Sequence, residues 1–584
     1  MKFLRGIAAG RKALVSCFND SIFIPMKDWR CAMYFRDRDP HHHRSMTLGS
    51  STMMMLLWMG VIFSPISLLG WSQAAKPAVE SPLRITINDN RVPSGTLAGR
   101  TLTIHLEALS GEWHPDGDSD PGVVVKAFAI EGGRPQIPGP LIRVAAGTEI
   151  RAFIRNSFER DTLAIHGMYS RPGNESTAKP IVIPAGVTQE VRFLAGSPGT
   201  YYYWGSTDST TLLNQRLGNE SQLTGAFIVD PTDGPPQPDR VLLISGWNNG
   251  TGARDATAAR FAINGRSWPQ TERLSYRVGD SVRLRLINAS GAVHPMHLHG
   301  FYFNVDSRGD ERADTIFPPN SSPHMVVTER AAPGRTFSLT WKPTRPGNWL
   351  FHCHDNVHLQ RLGSLDGQPL PPSGANHHVE NHALEMMAGP VMGIIVGGDS
   401  MEAVSSTSDA RRRLQLTARV DTGGTEDEPA FGYTLDAGES SSAPPPPYLP
   451  GPTIVLKVGE PVSITVVNQL PEPTSVHWHG IELESYYDGV AGFAGVGSRI
   501  APAIEPGGSF EALFTPPRSG TFIYHTHIDE VRQQKAGLSG ALLVVDSPES
   551  YDPEHDLVLM VTVPRKNADA QKVLLNGFNR TCCA

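Results

Sequence analysis

Beyond about residue 82 the apolar positions recur at every second residue over short runs, as in Val282-Arg-Leu-Arg-Leu-Ile and Val462-Ser-Ile-Thr-Val-Val. A period of two sends alternate side chains to opposite faces, so each run predicts a half-buried strand. Frequent glycine and proline, 57 and 48 residues, break these runs at short intervals and favour turn-separated β sandwiches over helices. A length of 584 residues implies several domains. Composition alters little: 40% hydrophobic and 19% charged residues are ordinary for a globular protein, and a formal charge of −7 argues against a nucleic-acid partner.

The N-terminus breaks the pattern. Residues 1–45 are basic, carry His41-His42-His43 and lack apolar periodicity, so they are expected to be disordered or not part of the natural product. From Met46 the apolar run Met53 to Leu69 ends near Ser72-Gln-Ala-Ala75, which reads as a secretory signal over 46–75. An uncleaved membrane anchor is the alternative, because the run is just long enough to span. Either way the body is expected to be exported, to the periplasm or outside the cell. Cysteine usage agrees. Cys17 and Cys31 precede the signal and Cys582 and Cys583 close the chain, which leaves Cys353 alone in the folded body. A lone thiol in an oxidising compartment needs a metal or burial to protect it.

The body repeats itself. Gly139-Pro-Leu-Ile matches Gly451-Pro-Thr-Ile, Gly199-Thr-Tyr-Tyr-Tyr matches Gly520-Thr-Phe-Ile-Tyr, and Leu223-Thr-Gly-Ala-Phe-Ile-Val-Asp matches Leu538-Ser-Gly-Ala-Leu-Leu-Val-Val. The expected order is a first sandwich at 82–231, a Pro- and Asp-rich linker, a second at 238–398, a polar connection, and a third at 414–547. A further copy is expected to begin at 552 and to stop short at 584, since some thirty residues cannot close a sandwich of ~100.

The chemistry concentrates in four histidine clusters. Phe351-His352-Cys353-His354 with His358 is the first; His294-Pro-Met-His297-Leu-His299-Gly, His477-Trp-His479-Gly and Tyr524-His525-Thr-His527 are the others. On a strand, His352 and His354 face one way and Cys353 the other. Cysteine, two imidazoles and a weak thioether make an electron-transfer copper site, so His294, Cys353 and His358 are expected to hold one copper. Each His-x-His pair sets two imidazoles on one face, which is wasteful for packing and suits metal. Eight such rings, His297, His299, His352, His354, His477, His479, His525 and His527, are too many for one ion and suit three.

These motifs resemble those of the multicopper oxidases, directly over about 290–530 and from 82 onward by repetition. The resemblance implies tandem cupredoxin-like Greek-key sandwiches, an all-β fold. It implies four coppers: type 1 at His294, Cys353 and His358, type 2 at His297 and His477, and a type 3 pair at His299, His352, His354, His479, His525 and His527. It further implies a laccase-like oxidase that takes electrons singly from a phenol, an amine or a metal ion such as Cu(I) or Fe(II) and reduces dioxygen to water, with His352-Cys353-His354 as the electron path. Asp488 resembles the acidic residue that the family places near the type 2 copper, where it could relay protons; an Asp-Gly turn is the plainer reading.

Two features depart from the three-domain laccases. The HCH segment precedes the HWHG segment, an order similar to that of fused two-domain multicopper oxidases. Ten residues past Cys353, where an axial side chain is usual, stands Gly363. Met387 is the expected axial ligand, with Met386 and Met392 as lesser candidates and core methionines as the plainer account. The segment 360–383 is expected to cover the edge of His358 and to restrict bulky phenols; His377, His378, His382 and Glu385 offer an alternative metal-ion site, with solvated loop residues as the plainer account. In the first sandwich Ala164-Ile-His166-Gly stands in place of the HWHG motif, and Trp204 and Ser206 in place of His525 and His527. That copy is therefore expected to be a metal-free wall with His166 as a satisfied structural residue. A copper nitrite reductase and a copper-binding protein without turnover are the alternative readings.

Overall fold

The computed structural model describes residues 82–233, 238–248, 259–318, 325–361, 363–366, 382–401, 411–421, 429–436, 449–562 and 574–577, with the backbone of 13–16. The signal segment, Cys17, Cys31, Cys582, Cys583, His377 and His378, and the side chains of His382 and Glu385, lie outside the described residues. No described helix is long and apolar enough to cross a membrane.

The fold is all-β and cupredoxin-like. Paired sheets close around three successive cores. A five-stranded and a seven-stranded sheet enclose Leu106, Phe128, Ile154, Tyr203 and Phe227. Two seven-stranded sheets enclose Leu284, Met296, Phe337, Trp349 and Cys353. Two four-stranded sheets enclose Leu416, Tyr433, Ile464, Trp478 and Tyr524. Both runs singled out for their alternation are interior strands, Val282–Asn288 and Val462–Gln469, in which Val282, Leu284 and Leu286, and Val462, Ile464 and Val466, face the cores. Within the leader, Ala13–Ser16 forms a strand that pairs in parallel with Val558–Val561.

The second and third cores are joined by backbone. Gly495–Val496, which follows the HWHG segment in sequence, extends the sheet of the Cys353 strand through the pair Asn348↔Gly495. Asn348 Nδ2 donates to Phe493 O at 3.0 Å, and Ser485 Oγ donates back to Asn348 O at 2.6 Å. Gly347, at φ +146°, is required here, because a Cβ would lie 2.3 Å from that of Ser485. Val490, Ala494 and Ala501 complete the apolar cluster that contains Cys353.

Candidate metal centre

The strand Gly347–Cys353 lies antiparallel to His294–Leu298 with Met296 opposite Cys353 and His297 opposite His352. This register separates two faces. On one, Cys353 Sγ sits 3.4 Å from His294 Nδ1 and 3.6 Å from His358 Nδ1, and it accepts from the backbone N–H of Asp355 at 3.4 Å. Ser290 Oγ lies 2.9 Å from His294 Nε2 and orients that ring. Phe261 packs against both imidazoles, with centroids at 4.9 and 4.4 Å. Burial pushes the Cys353 thiol well up, as expected of a sulfur that stays protonated until a cation replaces its proton.

Met387 and Met392 are buried in the same apolar cluster as Cys353, whereas Met386 is 39% exposed. The Met387 segment is stapled to the His358 turn: Ala388 N–H donates to Leu359 O at 2.8 Å and Cys353 N–H to Pro390 O at 3.0 Å. Gly389 permits the approach, since a Cβ there would meet His358 O at 2.1 Å. Met296, directly across the ladder from Cys353 and fully buried, was missed in sequence although its parity with His294 marks the face it shares.

On the opposite face the eight imidazoles converge from both cores. The second core supplies His297, His299, His352 and His354. The third supplies His477 and His479 on one strand, paired antiparallel to Gly520–His525, and His527 just beyond. Ring nitrogens approach across the junction, Nε2 of His297 and His477 at 3.4 Å and of His354 and His525 at 3.3 Å, and within the second core Nε2 of His299 and His352 lie 2.8 Å apart. Donor atoms fall within 4.8 Å of one another in the sets His299/His352/His527, His354/His479/His525 and His297/His299/His477.

Tautomers explain why these rings suit a cation. Nδ1 of His297, His352, His477 and His525 donates to the carbonyls of Val327, Cys353, Asp488 and Thr526 at 2.7–2.8 Å. Carbonyls only accept, so each Nε2 keeps a bare lone pair aimed inward. Thr328 Oγ1 lies 3.3 Å from His479 Nε2, and among the described residues neither His479 Nδ1 nor either ring nitrogen of His527 has a hydrogen-bond partner. Several buried acceptors pointing at one another are costly unless a cation lies between them.

Asp488 is fully buried and joins the two halves. Its Oδ2 accepts from His299 Nδ1 at 2.7 Å, while its carbonyl accepts from His477 Nδ1. The simple-turn reading is therefore incomplete: Asp488 closes the short helical turn Ser485–Tyr487, but its carboxylate serves the imidazoles. Sequence reasoning missed Glu530, which opens the helix Glu530–Ala536 beside His527, 3.2 Å from its Nε2 but out of line for a hydrogen bond. Burial raises the Glu530 carboxyl to about 8.

Burial, reinforced by neighbouring rings, drives His297, His299, His354, His479 and His527 well below the usual imidazole range, His352 to about 4 and His525 to about 3. An unfolded chain takes up protons from about pH 6.5 downward that these folded rings refuse. The metal-free protein should therefore lose stability as pH falls from 6.5 towards 4, by up to about 1.4 kcal/mol per pH unit for each ring. Glu530 works with the opposite sign but is one group against several. Calorimetry of the metal-free protein checks this, and a Tm that stays level between pH 7 and 5 would contradict it.

In the first core Leu163–His166 pairs with Gly199–Ser206, so that His166 lies opposite Trp204. Since Gly199 matches Gly520, Trp204 takes the place of His525, and His525 pairs with His477. The ladder thus sets His166 at the level of His477 rather than His479, a shift that the shared His-Gly dipeptide concealed. His166 stacks on Trp204 at 3.7 Å, and Trp204 Nε1 donates to Glu311 at 2.6 Å. Nor is His166 fully satisfied: its buried Nε2 has no hydrogen-bond partner among the described residues, and burial with nearby Arg216 holds the ring neutral, at about 4.

The sequence matches two family descriptions, both of multicopper oxidases, over residues 120–234 with 447–549 and over 235–362. Copper resistance protein A of Escherichia coli is 32% identical over 157 residues, 26% of this chain and 25% of that protein. The multicopper oxidase MmcO of Mycobacterium tuberculosis is 34% identical over 172 residues, 29% and 30% respectively. A probable nitrite reductase-hydroxylamine oxidoreductase fusion protein of Kuenenia stuttgartiensis is 28% identical over 289 residues, 45% and 31%. These alignments thus span only a quarter to about a third of the relatives' own lengths. Among solved structures, blue copper oxidase from Nitrosomonas europaea aligns over 51% of this chain and 86% of its own at 22% identity, with a TM-score of 0.38. With the two descriptions together covering more than half of the sequence, the chain belongs to the multicopper oxidase family.

Proposed function

We propose that this protein couples one-electron oxidation of a reductant at a copper that His294, Cys353 and His358 would hold, with Met387 as a further ligand, to four-electron reduction of dioxygen to water at three coppers that eight imidazoles of the opposite face would hold. His297 and His477 would hold one of the three. His299, His352 and His527 would hold a second, and His354, His479 and His525 the third. Four bound coppers would supply four electrons at once, which favours water over partly reduced oxygen species. The carrying observation is the convergence of bare imidazole nitrogens from two cores towards one another, back to back with a buried thiol.

The chain's own residues give this reading its mechanism. Cys353 and its neighbours His352 and His354 belong to both sites, so covalent bonds connect them for most of the way. The carbonyls of Val327, Cys353, Asp488 and Thr526 fix ring tautomers and need no rearrangement when a cation binds. Asp488 holds His299 through a buried carboxylate at the inner site, suited to moving protons towards oxygen. We assign residues 82–231 to a domain without copper ligands, 238–398 and 414–547 to the two that share the inner site, and 552 onward to a further copy. Export and a reductant that is a phenol, an amine or a metal ion such as Cu(I) or Fe(II) belong to the same proposal.

Copper analysis with oxygen-uptake measurements tests it. Four coppers per chain are expected, with oxygen consumption on supply of a phenol, Fe(II) or Cu(I). The likeness to the Kuenenia protein favours nitrite reduction as the second reading, and nitrite loss without oxygen uptake would replace the first. Copper uptake with neither activity would leave a binding protein. Asp488→Ala should lower oxygen uptake about 10–100-fold while the thiolate-to-copper absorption persists; full activity in that variant would remove Asp488 from the mechanism.

A further inference from the structure

The first sandwich lacks an imidazole set, yet one of its loops reaches the Cys353 site. Between the strands Thr101–Trp113 and Val123–Ile130 the chain reads His114-Pro-Asp116-Gly-Asp118-Ser-Asp120. Asp116 is 6% exposed. Its Oδ2 accepts from Arg260 Nε at 2.8 Å and lies 3.0 Å from Arg361 Nη2. The loop is seated by backbone contacts as well: Ser267 N–H donates to Pro115 O at 3.0 Å and Arg266 Nη1 to His114 O at 2.7 Å.

Both arginines belong to segments that frame the sulfur site. Arg260 opens the strand Arg260–Ile263 and directly precedes Phe261, the ring that packs on His294 and His358. The Arg260 guanidinium also donates to Gly363 O, beyond the His358 turn. Arg361 lies three residues past His358. A single buried carboxylate therefore ties the aromatic wall of the site to the turn that carries one of its imidazoles. Buried ion pairs add little net stability against an apolar substitute, but they fix geometry because neither partner tolerates separation.

We infer that Asp116 is a positioning residue for the Cys353 copper site: through Arg260 and Arg361 it sets where the Phe261 ring and the His358 imidazole stand. A sandwich without an imidazole set thereby controls a metal site in its neighbour. The inference rests on the proposed reading of His294, Cys353 and His358 as copper ligands. Asp118 provides the contrast. It is largely exposed and pairs with Arg84 and Arg266 at the rim, without contact to either framing segment.

The experiment compares Asp116→Asn, Arg361→Gln and Asp118→Asn with the wild type in the full chain. In the copper-loaded proteins, Asp116→Asn is expected to shift the thiolate-to-copper absorption and the reduction potential of that copper and to weaken its binding at least about tenfold. Copper content of the eight-histidine site should not change. Arg361→Gln should shift the same quantities in the same direction by less, and it covers the case in which Asp116→Asn does not fold. Asp118→Asn should match wild type. Wild-type absorption, potential and affinity in Asp116→Asn or, failing that, in Arg361→Gln would overturn the inference, even if Tm fell. In the copper-free proteins, NMR of the imidazole rings should show His358 displaced by Asp116→Asn and His477 unmoved; an unmoved His358 would likewise overturn it. Absence of a thiolate-to-copper band in the wild type itself would instead sink the underlying site reading, which the copper-free measurement keeps separate.

Discussion

Cys353→Ser is expected to abolish the thiolate-to-copper absorption and to cut oxygen uptake with every reductant by well over the roughly 10–100-fold that loss of an outer hydrogen bond costs. Serine keeps the shape of the side chain but does not offer a soft, easily ionised sulfur to copper. The loss should be confined to one site. His297, His299, His352 and His354 lie on the opposite face from the sulfur, and the tautomers of the first three are fixed by carbonyls and by Asp488. The variant should therefore retain three coppers per chain. Retention of the blue absorption would refute the assignment of the sulfur, and loss of all four coppers would refute the independence of the two faces.

The second large effect concerns the junction. His354 and His525 come from different cores but meet with Nε2 atoms 3.3 Å apart, in one set with His479. His354→Ala and His525→Ala should each abolish oxygen uptake, leave the blue absorption in place and remove the same copper. Since both act on one ion, the double variant should lose no more copper than either single one. A site shared between cores also makes copper a cross-link: the ion binds only the docked arrangement, and at a thousand times its dissociation constant it should stabilise that arrangement by about 4 kcal/mol. The wild type should gain Tm on copper loading and both single variants should gain much less. Additive copper loss in the double variant would mean that these rings belong to different sites.

Much of this was legible beforehand because it depends on local parity. Alternation along a strand puts His352 and His354 on one face and Cys353 on the other, wherever the strand happens to lie. Likewise His297 and His299, or His477 and His479, share a face by spacing alone. Repetition of short segments predicts tandem sandwiches, since each copy must satisfy the same backbone constraints, and three successive cores are found among the described residues. What misled was alignment by identity. His166-Gly matches His479-Gly in letters, but the hydrogen-bonded ladder sets His166 opposite Trp204 and so at the level of His477. A strand can slide by two residues and keep its faces, which leaves no trace in the pattern.

Residue types and faces, then, were written in the sequence: a lone protected sulfur, imidazoles in pairs, and strands to carry them. Which ring meets which was decided only by the tertiary structure. His297 finds His477 across 180 positions, Asp488 reaches back to His299 across 189, and Asp116 grips Arg260 across 144. Met296 was placed opposite Cys353 by the register of two strands that no local signal links. Such encounters arise from sheet pairing and from the seating of one core on another, through Asn348, Gly495 and the space left by Gly347. Local propensities fix how each strand faces, but the packing of distant surfaces selects among the partners they meet.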